Sequence, residues 1–354
     1  MSGVTCDVLV VGLGPAGAAA AGAAARAGLS VLAIDKRRQL GEPVQCAEFV
    51  PLAMGRYAKD AFVQRIIGMR SILPSGVIEQ SDFPGFMIDR GAFDRALAAQ
   101  AAQSGARLRT QTALKGLDTG RSEAVLRGAG QEAGTVRYRV LIAADGPHSP
   151  VARMIGWPAI PTVETRQYSL PLLKPYGDTD IWLSDAYPGG YAWLFPKGDV
   201  ANVGLGADAH LLPDMKTPLD MLCAQLIREG VVGDKILART GGAIPVGGLR
   251  PSLVQENILF AGDAAGLTHP ITGAGIASAV VSGERAGRAA TEFLGGKQDA
   301  LAEFEEDMRD AFEDSLTRAV ARRRWLMARW HTPAALLDAT HKRGWVAFRE
   351  YFAA

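Results

Sequence analysis

The residues with the clearest chemical potential lie near the start of the chain, in Gly12-Leu13-Gly14-Pro15-Ala16-Gly17. Gly12 permits a tight turn, Gly14 lets the backbone approach a pyrophosphate, and Gly17 lets a helix pack close to the preceding strand. A helix opening there offers amide donors and the positive end of its dipole to an anion. Asp35 follows about 20 residues on, where a carboxylate accepts ribose hydroxyls. A glycine string alone is a weak signal. Here it sits between two apolar runs, Asp7 to Val11 and Leu29 to Ile34, with an alanine-rich stretch after the turn. That is the pattern of dinucleotide binding.

A second constellation is Gly262 to Gly266 (GDAAG) followed by His269 to Ile276 (HPITGAGI). An apolar run, Ile258 to Ala261, delivers Asp263 to the end of a strand, where its carboxylate can hold the ribityl hydroxyls of a flavin. The Gly273-Ala274-Gly275 turn opens a helix whose amides can face the edge of the flavin that becomes anionic on reduction. This pairing selects FAD over a nicotinamide. No second glycine fingerprint for a nicotinamide is present. The electron donor is therefore NAD(P)H bound transiently, a ferredoxin or a quinol.

Three further residue sets have chemical potential. Tyr191, Trp193 and Phe195 alternate along a short apolar run and face one way, as an aromatic core face or as the wall of a pocket for an apolar or aromatic substrate. Cys46 reads either as a small buried residue or as a group that shapes the flavin face and donates a proton. His269 reads as a structural histidine or as a proton carrier.

These residues need a scaffold. Pro15 to Ala27, Asp89 to Ser104 and Gly275 to Leu294 read as helices; Asp7 to Val11, Leu29 to Ile34, Arg139 to Ala144 and Ile258 to Ala261 read as buried strands. Residues 156 to 250 have more proline, more aromatics and alternating patterns, which suits an antiparallel sheet. The expected organisation is an FAD-binding domain at 1–65, 88–157 and 250–296, a substrate domain at 66–87 and 158–249, and a C-terminal helical segment at 297–354. Ala300 to His331 reads as one long amphipathic helix or a pair. Its early acidic residues and late arginines complement the helix dipole. Its Arg322, Arg323, Arg324 and Arg329, with Trp325 and Trp330, read as a solvated charged face or as a surface for a membrane or a protein partner.

With 354 residues, 48% hydrophobic and 21% charged, the chain can bury a core larger than one small domain. A net charge of +1 gives no reason to expect a nucleic-acid partner. Cys6, Cys46 and Cys223 form no CxxC pair, so neither zinc nor a disulfide framework is expected. Met1 to Asp7 has no basic residue, and glycines break the following apolar stretch. A cytoplasmic protein is expected, peripheral at the inner face of a membrane if the basic helix serves that purpose.

Taken together, these motifs resemble the aromatic hydroxylase-like flavoproteins and, within them, the geranylgeranyl reductase family. The resemblance spans roughly residues 5 to 295. The three FAD motifs stand as Gly12 to Gly17, Asp145-Gly146 and Gly262-Asp263. Asp89 to Leu97 (DRGAFDRAL) is similar to the family's arginine-bearing helix, Pro43 to Met54 (PVQCAEFVPLAM) to its cysteine loop, and Tyr187 to Gly204 (YPGGYAWLFPKGDVANVG) to its Tyr-x-Trp-x-Phe-Pro motif.

The resemblance implies a Rossmann-like FAD-binding α/β fold with an inserted antiparallel β-sheet and a helical tail. It implies FAD contacts at Ala16, Asp35, Lys36, Cys46, Ala47, Arg90, Ala113, Asp145, Gly262, Asp263, Gly275 and Ile276. Substrate contacts fall on Tyr191, Trp193 and Phe195, and catalytic candidates are Cys46 and Glu48. One departure stands out: the family's loop carries glycines after the cysteine, whereas Ala47, Glu48 and Phe49 stand here, crowding the flavin face or presenting a carboxylate to it. The expected activity is reduction of carbon–carbon double bonds in an isoprenoid or other elongated apolar substrate. Its rival is a monooxygenase that hydroxylates an aromatic group, such as a tryptophan of a partner protein in quinone-cofactor maturation. A non-catalytic prenyl carrier is the third reading, and the intact flavin motifs argue against it.

Overall fold

A computed structural model describes residues 4–128 and 134–353. Val4–Val11 lies between Gly134–Ala143 and Val31–Ile34, parallel to both. Val8 to Val11 and all of Val31–Ile34 are buried. Such continuous apolar runs mark strands covered on both faces. Ile258–Phe260 and Arg107–Arg109 add parallel neighbours on either side. Val254–Gln255, Thr112–Asp118 and Glu123–Gly128 complete an eight-stranded sheet.

The helices Pro15–Arg26, Arg90–Gln103 and Ile276–Leu294 cover this sheet. Pro15–Arg26 is almost wholly alanine and glycine, so it packs backbone-close against Ile276–Leu294. A Cβ added at Gly283 would lie 2.1 Å from the Ala16 carbonyl oxygen. The two ligand-motif helices thereby hold each other in register.

The chain leaves this layer to build a second eight-stranded sheet. Its order is Ala238–Thr240, Thr162–Pro171, Val200–Ala207, Tyr191–Lys197, Thr179–Trp182, Met69–Ile72 and Ile78–Ser81, with Ala243–Pro245 also on Thr162–Pro171. All its pairings are antiparallel except Met69–Ile72 with Thr179–Trp182. Alternation divides it into two faces. One packs Leu194 and Leu205 under the helix Lys216–Arg228. The other carries Met69, Ile181 and Trp193. A small sheet of Phe49–Pro51, Gly85–Ile88 and Phe62–Ile66 bridges the two layers. It crosses the division expected near residue 65.

Ala300–Met327 is one continuous helix of 28 residues. The Glu305 carboxylate accepts the Leu253 and Val254 amides at 3.0 and 3.1 Å, which fixes the helix to the first domain. The basic tryptophan surface expected at its end does not form. Arg322 donates to the Tyr351 carbonyl, Arg323 donates to the Gly189 carbonyl, and Arg329 lies over the Trp325 ring. Trp330 is buried, with its indole N–H on the Asp185 carbonyl. Arg322 thereby helps hold the residues that follow, which fold back as Pro333–Leu336, Asp338–Gly344 and Arg349–Phe352, while Arg323 and Trp330 bind the turn at residues 185 to 189. Among the described residues, no helix is long and apolar enough to cross a membrane.

Candidate active site

The glycines of the first turn differ in what demands them. Gly12 has a φ of +98°, and a Cβ there would sit 2.2 Å from the Ala144 carbonyl oxygen. The turn itself requires that glycine. At Gly14 an added Cβ meets nothing within 4 Å. The protein's own atoms do not need glycine there, so the open space beside it is available to a ligand. Gly14 is the N-cap of Pro15–Arg26 and offers no side-chain cap, so the first-turn amides keep their donors. Asp35 flanks this mouth. Its Oδ2 accepts from the Leu13 amide at 2.9 Å and its Oδ1 from the Arg37 amide at 2.8 Å. Lys36 beside it is exposed. The Thr112 amide donates to the Asp35 carbonyl, which places Ala113 one residue further along that edge.

Asp145 and Asp263 lie at the ends of neighbouring strands. The Asp145 Oδ2 accepts from the Val151 amide, while its Oδ1 is buried with no partner. Burial pushes this carboxyl above its ordinary range. The Asp263 Oδ1 accepts from the Thr268 hydroxyl at 2.5 Å. Burial pushes its carboxyl up too, opposed by the Thr268 hydroxyl and the Arg90 charge. A Cβ at Gly275 would lie 2.5 Å from the Thr268 hydroxyl and 3.3 Å from Asp263 Oδ1. Gly275 is the uncapped start of Ile276–Leu294. Two uncapped helix starts, an orphaned carboxylate oxygen and a second carboxylate at a strand end form a donor–acceptor set that fits FAD.

The cysteine loop joins this set to the second sheet. Arg90 is half-buried; burial opposes its charge, but the Asp94 carboxylate and the Cys46 sulfur raise its pKa overall. Arg90 therefore lies in reach of both Cys46 and Asp263. Glu48 has a left-handed φ of 72°, the conformation that glycine adopts without strain. Its side chain was expected to crowd the flavin face or to present a carboxylate to it. Within the protein, Oε1 accepts from the Arg90 amide at 3.0 Å and Lys197 Nζ at 2.8 Å, and Oε2 from Lys197 Nζ at 2.9 Å and Asn202 Nδ2 at 2.8 Å. The Glu48 amide donates to the Cys46 sulfur at 3.1 Å. These contacts hold the loop in that left-handed conformation. Ala47 packs on the aromatic cluster.

Tyr191, Trp193 and Phe195 share one face of Tyr191–Lys197, with ring centroids 5.7 and 6.5 Å apart along the row. The Trp193 indole donates to Gln167 Oε1 at 2.9 Å, and Gln167 Nε2 donates to the Cys46 carbonyl at 3.1 Å. The wall and the cysteine loop are thus rigidly linked. Burial, with the Cys46 sulfur, pushes the Tyr191 phenol up, and its hydroxyl donates to the Thr272 carbonyl at 2.6 Å. That contact seats the wall on the turn before Gly275. Trp345 lies edge-on to Tyr191 at 4.8 Å, and Phe348 joins the same cluster. The C-terminal tail therefore covers the outer end of the wall.

Burial holds His269 at a pKa of about 4. Its Nδ1 accepts from the Ile271 and Thr272 amides at 3.4 and 3.3 Å, which shapes the turn. Sequence reasoning missed Gln167, Lys197, Asn202, Thr268 and Trp345. Gln167, Lys197, Asn202 and Trp345 act through partners distant in sequence, and no local pattern marks such contacts; Thr268 acts on Asp263 only five residues away.

A family model described as FAD dependent oxidoreductase matches residues 7–128, and one described as FAD binding domain matches 86–193. A third, geranylgeranyl reductase catalytic domain, matches 174–243. The digeranylgeranylglycerophospholipid reductase of Methanocella arvoryzae is 36% identical over 88% of this chain and 85% of its own length. That of Methanosarcina acetivorans is 36% identical over 85% of this chain and 78% of its own. Among solved structures, a geranylgeranyl bacteriochlorophyll reductase-like protein from Thermoplasma acidophilum superposes with a TM-score of 0.86 at 29% identity, covering 98% of this chain and 93% of its own. A flavin-dependent halogenase superposes at 0.75 with 16% identity, over 94% of this chain and 67% of its own, which is a likeness of fold alone. The glycine turn, the cysteine loop and the aromatic strand thus lie within matched segments, and the chain belongs to the geranylgeranyl reductase family of FAD-dependent oxidoreductases.

Proposed function

We propose that this protein reduces the carbon–carbon double bonds of an isoprenoid lipid at a site between the Cys46 loop and the Tyr191–Trp193–Phe195 wall. The observation that carries this is the Trp193–Gln167–Cys46 linkage, which holds an elongated apolar surface against the loop beside the flavin motifs. The relatives' reaction, named for digeranylgeranylglycerophospholipids, needs such a surface.

Reduced FAD supplies the hydride when bound. Around it, the Gly14, Ala16 and Gly17 amides hold the pyrophosphate and Asp35 the ribose, with Lys36 and Ala113 at the adenosine edge. Asp263 and Asp145 take polyol or phosphate-side hydroxyls, and Gly275 and Ile276 turn donors toward the reducible ring. Arg90, clamped by Asp94, sets positive charge beside Cys46 and Asp263. Cys46 is the group placed to pass a proton to the substrate's second carbon. Glu48 works as a positioning residue, locked on Lys197 and Asn202. The wall excludes water and aligns the chain, because large aromatic faces favour apolar contact over solvent. The donor that reduces the flavin is one of three classes: NAD(P)H, ferredoxin or quinol.

The test is product analysis under anaerobic conditions with dithionite as reductant. A gain of two hydrogens per double bond in a polyprenyl lipid supports the reading. Unchanged alkene, or incorporation of oxygen when air is admitted, contradicts it.

A further inference from the structure

We infer that the small sheet of Phe49–Pro51, Gly85–Ile88 and Phe62–Ile66 is the face that lies on a lipid bilayer and admits a membrane-dissolved substrate. This rests on the isoprenoid-reductase reading. Large apolar side chains crowd this sheet and its flanks: Leu52 is 41% exposed, Phe62 52%, Val63 37%, Ile67 67% and Phe83 40%. Three strands are only about 10–15 Å across, so these residues share a small area. Scattered apolar residues on a surface need no explanation, but a concentration of them marks an interaction site.

From this face a row of rings runs inward. Phe83 meets Phe49 at 6.2 Å, Phe49 meets Phe195 at 6.1 Å, and Phe195 continues to Trp193 and Tyr191 at 6.5 and 5.7 Å. Exposure falls from 40% at Phe83 to 6% at Trp193. Every member of this row is an apolar or amphipathic ring. Phe49 directly follows Glu48, so the path reaches the wall at the cysteine loop. Arg56, Lys59 and Arg65 are exposed on the same segment, against Asp60 and Asp82. The basic excess suits anionic headgroups. The alternative face, the end of the long helix, has its Trp330 buried and its Arg322 and Arg323 tied to backbone carbonyls.

The test compares wild type with a Phe62→Ser/Val63→Ser/Ile67→Ser variant, none of whose positions lies in the ring row or the flavin motifs. Flotation on phosphatidylcholine–phosphatidylglycerol vesicles reads the face without turnover. Reduction of a vesicle-embedded polyprenyl lipid and of a short water-soluble prenyl diphosphate reads delivery. The variant is expected to float about tenfold less and to reduce the embedded lipid about tenfold more slowly, with its flavin spectrum and soluble-substrate rate unchanged. A Leu336→Ser/Leu337→Ser variant, which alters exposed apolar residues on the tail, should behave as wild type. The inference is overturned if the sheet variant floats like wild type, if the tail variant alone loses flotation, or if the sheet variant instead splits a dimer. Failure of wild type to reduce either alkene sinks the reductase reading, while flotation still decides the face.

Discussion

At the glycine turn, the groups that face the ligand are backbone amides and two short carboxylates held by other amides. At Tyr191–Lys197 they are large side chains, held by a glutamine and by a buried ion pair. The first region gets its precision from where the chain can turn, so a handful of glycines and aspartates define it. The second gets its precision from contacts between residues 26 to 149 apart in sequence, such as Trp193 with Gln167 and Lys197 with Glu48. A change on the first side should remove the cofactor. A change on the second should leave the cofactor and alter what happens beside it.

The sharpest break in this contrast lies within the turn itself. Gly14→Val is expected to fold and to bind no flavin, because its side chain fills ligand space that no protein atom occupies. Gly12→Val should lose soluble protein, since its Cβ collides with the Ala144 carbonyl. Circular dichroism and flavin absorbance separate the two. A yellow Gly14→Val protein would remove the ligand from that space.

Next in size is the lock beneath the cysteine loop. Lys197→Met leaves the Glu48 carboxylate buried without its cation and should cost about 2–4 kcal/mol in denaturant unfolding, toward the lower end for a buried pair because Lys197 keeps some solvent contact. Adding Glu48→Gly should recover most of the loss, since glycine takes the φ of 72° without strain. If the double variant is no more stable than Lys197→Met, the strain account of Glu48 is wrong.

An effect of similar size should appear in the acid limb of stability. The folded pKa of His269 lies near 4, below its ordinary 6.5, so the neutral ring is favoured in the fold. Its contribution is complete above pH 6.5 and is lost as pH falls toward 4, a change on the order of 3 kcal/mol. His269→Asn keeps an acceptor for the Ile271 and Thr272 amides and should flatten that part of the pH–stability curve. An unchanged slope would place the acid sensitivity elsewhere.

The contrast also explains what could be read from the chain alone. Val8 to Val11 with Gly12, Gly14 and Gly17, and Ile258 to Phe260 with Asp263, are local patterns whose geometry follows from turn and strand sterics. The shared face of Tyr191, Trp193 and Phe195 followed from period-two alternation. The small sheet was illegible because its strands are three to five residues long and its pairing partner, Gly85–Ile88, lies beyond another hairpin. Glu48 was placed on the cysteine loop, but its partners Lys197 and Asn202 could not be read because they are distant in sequence. The arginines of the long helix looked like a free surface for the same reason: their acceptors are carbonyls of Gly189, Tyr351 and Ala353.

The most direct test of the division between a flavin side and a substrate side is a stopped-flow measurement on Trp193→Ala. Enzyme reduced without oxygen is mixed with a polyprenyl alkene, or separately with oxygen, while flavin absorbance is followed. The variant should retain FAD as wild type does and react with oxygen at the wild-type rate. Its reoxidation by the alkene should slow by about tenfold or more, the scale of losing a large aromatic contact of about 1.4 kcal/mol or greater in the transition state. Loss of flavin together with alkene reactivity, or an alkene rate equal to wild type, would contradict the account.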